Sequence, residues 1–220
     1  MSVRLISYTK AVDSLADTLD SPQDVVAFCA RISNPSNQMN TETSEKLLKY
    51  LIKHKHFSPF EMVSVCMEIN TTRDIARQIL RHRSFSFQEF SQRYADPTDE
   101  LSFSIREARL QDRTNRQNSI PLSEESKELD LWWRQAQQEL IEKAKQTYQQ
   151  AIERGMAKEQ ARAVLPEGLT NSRLLVQGTL RSWIHYVELR SANGTQKEHA
   201  EIAKACGCLL ADLCPALFQK

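Results

Sequence analysis

The sequence predicts a helix-rich α+β fold, a single domain over residues 1–220 with a small, mostly antiparallel β-sheet. Three observations carry this expectation. Residues 61–70 place Val63, Val65, Met67 and Ile69 at alternate positions, the period of a half-buried strand. Longer segments repeat their apolar residues every three or four positions, the period of a helix packed on one face. No internal repeat or flexible linker divides the chain. A chain of this length buries roughly 70% of its unfolded surface, so its core needs no disulfide or metal staple.

The elements follow in order. Val3 to Thr9 alternates enough for a first strand. Ser21-Pro22-Gln23-Asp24 reads as a helix start, with Ser21 at the cap and Pro22 in the first turn. Asn34-Pro35-Ser36-Asn37 is a turn cluster, and Thr41 or Thr43 caps a helix carrying Leu47, Leu48, Leu51 and Ile52. After the 61–70 strand, Thr71-Thr72 caps a helix over 73–82 with Ile75, Ala76, Ile79 and Leu80 as its stripe. Residues 85–94 start extended. The polar stretch 95–121 is irregular apart from a short strand near 101–105, and loops of this length are usually functional or mobile. A long helix follows Ser123, with Leu129, Trp133, Ala136, Leu140, Ala144 and Tyr148 at helical spacing and Gly155 as its stop. A short helix over 158–165 ends at Pro166, and helices around 180–190 and 196–213 complete the chain.

Composition narrows the function classes. Hydrophobic residues make up 40% and charged residues 26%, with five Gly and seven Pro, which excludes collagen, low-complexity disorder and a disulfide scaffold. No apolar run approaches membrane-spanning length and the start MSVRLISYTK lacks a signal-peptide core, so the expectation is a cytoplasmic protein with no membrane partner. The five cysteines include no CxxC pair, and Cys29, Cys66, Cys206 and Cys208 all fall in apolar patterns that read as buried, inert thiols. The net charge is +1, yet 17 of the 29 cations are Arg, the residue suited to forked recognition of carboxylate or phosphate. That balance speaks against a general polyanion binder and leaves a local anion site open.

Arg73, Arg77 and Arg81 recur at four-residue spacing, where each like-charged pair costs about 0.2–0.5 kcal/mol. A solvated stripe is the plain explanation. The continuation into Arg81-His82-Arg83, with Glu89, Ser91, Arg93 and Tyr94 beyond, suits a phosphate and a polar ring held together.

The segment RHRSFSFQEFSQRY resembles the signature of the flavin-dependent thymidylate synthases, roughly RHRxxSxNExSxRY. It matches at Arg81, His82, Arg83, Ser86, Glu89, Ser91, Arg93 and Tyr94, and Gln88 keeps an amide where many members carry Asn. His56-Phe57-Ser58-Pro59-Phe60-Glu61 is similar to the family's HxTPFE segment, with Ser58 replacing Thr. Residues 161–166, ARAVLP, resemble its ARxxLP segment, and Arg181 through Arg190 resemble its last ligand-binding helix. The overall pattern and short length resemble compact, virus-type members.

The resemblance implies reductive methylation of dUMP to dTMP, with methylenetetrahydrofolate supplying the carbon, FAD carrying the hydride and NADPH as reductant. It implies that Ser58, Arg81, His82, Arg83, Glu89, Arg181 and His185 contact FAD. It places Gln78, Arg81, Glu89, Phe90, Ser91, Gln92, Arg93, Arg162 and Arg190 around dUMP. Arg190 is then the residue that activates the uracil ring, and the assembly is a homotetramer with sites shared between subunits.

The residue chemistry is compatible with these roles and keeps plainer ones beside them. Arg190 lies seven residues after Trp183, on the Trp183/Tyr186/Val187 side of its helix, where a cation either serves a ligand or snorkels at the helix end. Arg181 and His185 sit one turn apart and reach one ligand edge, or are simply exposed. Arg162 is either a ligand residue or a solvated one. Ser91 is assigned to hydrogen-bonding the uracil, with nucleophilic catalysis as the minor reading, since nothing nearby marks a Ser–His–Asp triad.

Three rival classes are weaker. Thymidylate synthases that use a cysteine nucleophile carry a PCH-type segment, which is absent. A metal enzyme would need an HExxH or a Cys/His quartet, also absent, so no metal is expected. A nucleic-acid-binding module would draw on the Arg73, Arg77 and Arg81 ladder plus Arg106, Arg109, Arg113 and Arg116, the last four with no assigned role, but the balanced charge and lack of a binding motif oppose it.

Overall fold

In the computed structural model, which describes residues 1–218, the alternating segment forms a central strand of a four-stranded antiparallel sheet. Its strands are β1 (Ser2–Tyr8), β2 (Ser64–Thr72), β3 (Ser86–Glu89) and, near the end of the chain, β6 (Asn171–Thr179), in the order β1-β2-β6-β3. Val65, Met67 and Ile69 of β2 and Leu174 and Val176 of β6 share the core face, and all are at most 1% exposed. On the opposite face Glu68 is gripped by Arg4 of β1 at 3.1 Å and by Arg173 of β6 at 2.7 Å, which cross-links three strands.

Strand β6 is absent from the sequence expectation. Its buried residues Ser172, Leu174, Val176 and Gly178 do alternate, but exposed Leu175 turns the visible pattern into a short apolar run that fits either element. The sheet itself settles the matter: β2 pairs with β6 over nine residues, from Ser64 with Thr179 to Thr72 with Asn171.

Helices α1 (Pro22–Ala30), α2 (Ser44–Lys53), α3 (Arg73–Ile79), α7 (Leu180–Ser191) and α8 (Lys197–Leu213) cover the core face. Helices α5 (Lys127–Glu153) and α6 (Lys158–Ala161) pack together around Tyr148, Ala161 and Leu165, and α4 (Pro97–Glu100) is a single turn. Ser21 caps α1 as expected, its Oγ accepting from the Asp24 N–H. Thr43 and Thr72 precede α2 and α3 without capping them. Instead Thr43 Oγ1 accepts from Arg31 Nη2 at 2.8 Å, and Thr72 Oγ1 donates to Asp74 Oδ1 at 2.6 Å.

Helix α3 stops at Ile79, three residues before the expected end, because Leu80–Ser84 turn to enter β3. The arginine ladder therefore contains only Arg73 and Arg77, and Arg81 lies on the turn beyond it. Both helical arginines face Glu167, which removes the repulsion expected of a bare stripe. The polar stretch holds α4 and a second, two-stranded sheet, β4 (Arg109–Gln111) with β5 (Ser119–Pro121), while the expected strand near 101–105 reduces to a single bridge between Phe103 and Thr170. Among the cysteines, Cys206 is buried as expected, but Cys208 is exposed and Cys29 and Cys66 are half-buried.

Candidate active site

Two strand–helix junctions bring the motif segments together. β2 runs directly into α3 and β6 directly into α7 from opposite ends of the antiparallel pair, so the two helices return over the sheet. The turn after α3 thus meets α7, where Ser182 Oγ donates to the Ser84 carbonyl at 3.2 Å. Trp183 of α7 anchors the junction: it is fully buried, its indole N–H donates to the Val65 carbonyl at 3.0 Å, and its ring meets Phe85 at 4.6 Å.

A cluster forms around His82. Arg190 Nε donates to His82 Nε2 at 2.9 Å, so that nitrogen is the acceptor and the imidazole is neutral. Tyr186 packs edge-on against the His82 ring at 5.0 Å, and the His199 ring lies 6.3 Å away. Burial, followed by the charges of Arg190, His185 and Arg81, lowers the His82 pKa from 6.5 to about 4. His199 falls to about 4 as well, through complete burial and then the same Arg190. Gln78 of α3 reaches this cluster, its Oε1 lying 3.2 Å from His199 Nδ1. Arg190 is thus half-buried on the apolar side of α7, as its spacing from Trp183 indicated.

A cleft of about 640 Å³ opens on the other side of α7, lined by Phe57, Glu61, Ser84, Thr179, Arg181 and His185 among others. The expected pair Arg181 and His185 therefore does share one ligand-sized space. Its floor is the 3₁₀ turn Ser58–Met62, from which Glu61 accepts Arg181 Nη1 at 2.7 Å and Thr179 Oγ1 at 2.8 Å. The Arg181 hydrogen bond, then that of Thr179, holds the Glu61 carboxyl below the usual range. Ser58 is exposed at the start of the turn, and Arg81 and Arg83 are exposed on the turn leading to β3.

A third group sits at the β3–β6 edge. Glu89 accepts from Ser172 Oγ at 2.7 Å and faces Arg73 at 3.5 Å. Phe90 continues the ladder by donating its N–H to the Arg173 carbonyl, and Gln92 is buried with its Nε2 unpartnered. Ser91 is half-buried, its Oγ accepting weakly from the Arg93 N–H at 3.4 Å, and among the described residues no histidine hydrogen-bonds to that hydroxyl. Arg93 is drawn to Glu159 at 3.4 Å, and Arg162, three residues beyond Glu159, stands half-buried on a 3₁₀ turn.

Several residues that complete these groups had no role from sequence. Glu61 was visible inside the HFSPFE segment, and Thr179 follows the ordinary pattern of a capping hydroxyl before an apolar helix start. Tyr186, His199 and Ser172 carried no local signal. Among the described residues no group of three or more His, Cys, Asp or Glu is placed to hold a metal ion, and no helix is long and apolar enough to cross a membrane.

Clustered cations, amides and hydroxyls beside the α7 cleft have the chemistry of an enzyme site suited to anionic ligands. Comparison with known proteins gives that class its family. The profile of the family described as "Thymidylate synthase complementing protein" matches residues 14–216. A protein of Paramecium bursaria Chlorella virus 1, described as a probable flavin-dependent thymidylate synthase, is 46% identical over 206 residues, covering 94% of this chain and 92% of its own. The flavin-dependent thymidylate synthase of Synechocystis sp. is 49% identical over 205 residues, covering 93% and 92%. The chain belongs to this family, the flavin-dependent thymidylate synthases. Its fold also matches the crystal structure of a UMP/dUMP methylase from Streptomyces cacaoi, with a TM-score of 0.77 at 24% identity over 98% of this chain and 92% of that one.

Proposed function

We propose that this chain reductively methylates dUMP to dTMP, with FAD as its flavin, methylenetetrahydrofolate as carbon donor and NADPH as reductant. The observation that carries the reading is the Arg190–His82 hydrogen bond, which joins the RHR motif to the last ligand helix across 108 residues.

The donor set suits a flavin dinucleotide. Arg81, Arg83, Arg181 and His185 supply cations and donors for phosphates, Ser58 supplies a hydroxyl, and Phe57 and Ile184 give the cleft an apolar wall. When bound, the flavin supplies the hydride chemistry. The protein's own part is binding and polarisation. With Nε committed to His82, the two Nη groups of Arg190 remain to meet a uracil carbonyl and its ring nitrogen. A guanidinium there stabilises the anion formed as the ring N–H proton is lost or polarised, raising electron density at the carbon to be methylated. Because His82 is neutral, it accepts from Arg190 instead of repelling it, and so orients that guanidinium.

Gln78, Glu89, Phe90, Ser91, Gln92, Arg93 and Arg162 belong to the nucleotide side of this reading, with Ser91 as a hydrogen-bonding residue, and Glu89 also faces the flavin. Residues 1–220 act as one domain within a cytoplasmic homotetramer. Arg93 and Arg162 reach a nucleotide held partly by another subunit.

The test is an anaerobic assay of purified protein with dUMP, methylenetetrahydrofolate, NADPH and FAD. The expected result is a yellow preparation that forms dTMP; a folded, flavin-loaded protein that forms none would overturn the reading.

A further inference from the structure

Arg109 was left without a role by the sequence, yet its side chain is only 12% exposed and pairs with Glu198, which is 10% exposed. From this pair a continuous series of hydrogen bonds leads to the His82 cluster. Gln196 Nε2 donates to Glu198 Oε2 at 3.0 Å, Gln78 Nε2 donates to Gln196 Oε1 at 2.8 Å, and Gln78 Oε1 lies 3.2 Å from His199 Nδ1.

The direction of every step follows from chemistry. Glu198 is nearly buried, which disfavours its charge, but Arg109, its own backbone N–H and Gln196 together hold the carboxyl below its usual pKa. A carboxylate only accepts, so Gln196 must present its NH₂ to Glu198 and its carbonyl to Gln78. Gln78 must then present its NH₂ to Gln196 and its carbonyl to His199. An amide carbonyl only accepts, so His199 must carry its proton on Nδ1. Its Nε2 is left as a lone pair, fully buried and without a partner.

We propose that Arg109 and Glu198 are positioning residues, which set the orientation of the Gln78 amide and the tautomer of His199 through Gln196. The β4–β5 hairpin is thereby tied to the candidate active site, because β4 begins at Arg109. A second arginine before the hairpin acts on the same helix: Arg106 Nη2 donates to Asp74 Oδ1 and to Thr72 Oγ1, both at 2.7 Å, at the start of α3. Buried Gln137 of α5 clamps Arg106 in turn, accepting from its N–H and donating to its carbonyl. The relay stands on the geometry alone; its consequence for nucleotide binding rests on the proposed function, through Gln78.

The experiment uses full-length protein labelled with ¹⁵N-histidine, free of nucleotide, in wild-type and Gln196→Leu forms, with dUMP kinetics on both. Wild-type His199 is expected to show a protonated Nδ1 and an unprotonated Nε2, and Gln196→Leu a mixture of tautomers. The same substitution is expected to raise KM for dUMP about fivefold or more with kcat changed less than twofold. Gln196→Glu, which keeps the acceptor but cannot donate to Glu198, is expected not to rescue. Urea midpoints check that each variant folds; should Gln196→Leu fail to fold, Arg109→Gln serves the same readouts. An unaltered His199 tautomer overturns the positioning role, and a loosened tautomer with unchanged KM overturns its consequence for nucleotide binding. Gln78→Ala separates the two readings: if it leaves KM for dUMP unchanged while the tautomer responds as expected, the nucleotide assignment of Gln78 has failed and the relay has not.

Discussion

Arg190 and His82 illustrate how burial converts two common polar side chains into a matched pair. In water His82 would be partly protonated near neutral pH and would repel a neighbouring guanidinium; half-buried between Tyr186 and Phe85, it stays neutral and accepts. Arg190→Ala should lower kcat by about 10²–10³-fold, the effect of losing one preorganised donor, while the flavin absorbance of the purified protein is retained. Arg181→Ala should do the reverse, weakening FAD retention more than turnover at saturating FAD; equal losses in both variants would break the division of labour. The two buried imidazoles also make a stability prediction. Between about pH 6.5 and pH 4 the unfolded chain takes protons on His82 and His199 while the folded chain refuses them. Stability should therefore fall as pH drops from 6.5 toward 4, and the loss ends below the folded pKa. Urea midpoints measured between pH 7.5 and 5 should show this slope, and His199→Gln should flatten it.

At the scale of elements, the site depends on β6 holding α7 against the turn that carries His82. Gly178 of β6 makes this approach possible: a Cβ there would lie 2.4 Å from Phe85 Cδ1 and 2.6 Å from Cε1. The ring cannot retreat, because Trp183 and Tyr186 pack against it at 4.6 Å and 5.8 Å. Gly178→Ala should cost about 1–3 kcal/mol by overpacking, seen as a lower urea midpoint. Adding Phe85→Leu should recover part of the loss; additive losses in the double variant would show that the clash is not the cause.

On the whole-molecule scale, α5 carries a surface its own chain does not cover. Its C-terminal half buries Ile141, Ala144 and Tyr148, but Leu131, Trp132 and Leu140 are 67%, 61% and 52% exposed, and Leu129 and Trp133 are also open. Of the residues at helical spacing, Leu129, Trp133, Ala136, Leu140, Ala144 and Tyr148, only Ala144 and Tyr148 are buried. Exposed apolar area on this scale marks an interaction surface, and the proposed homotetramer supplies a partner of the right kind. Trp132→Glu should lower the mass measured by light scattering; an unchanged tetramer would remove α5 from the subunit interface. Arg106 and Arg109, part of the support for the nucleic-acid reading, turn inward to Asp74 and Glu198, so two of the four arginines of residues 106–116 are structural.

What the amino-acid sequence determined by itself was local: the alternation of β2, the Ser21 cap, the Gly155 stop at φ +80, and motif segments dense enough to name a family. These are legible because period, capping and turn chemistry act over a few neighbouring residues. Tertiary structure alone decided which distant segments meet. Glu61 closes on Arg181 across 120 residues, Gln78 on His199 across 121, and Glu198 on Arg109 across 89. The role of each such polar side chain depends on what burial leaves it to bond with. His199 shows this most plainly: it is an ordinary histidine in the chain, but once buried beside Gln78 it has a single tautomer to adopt.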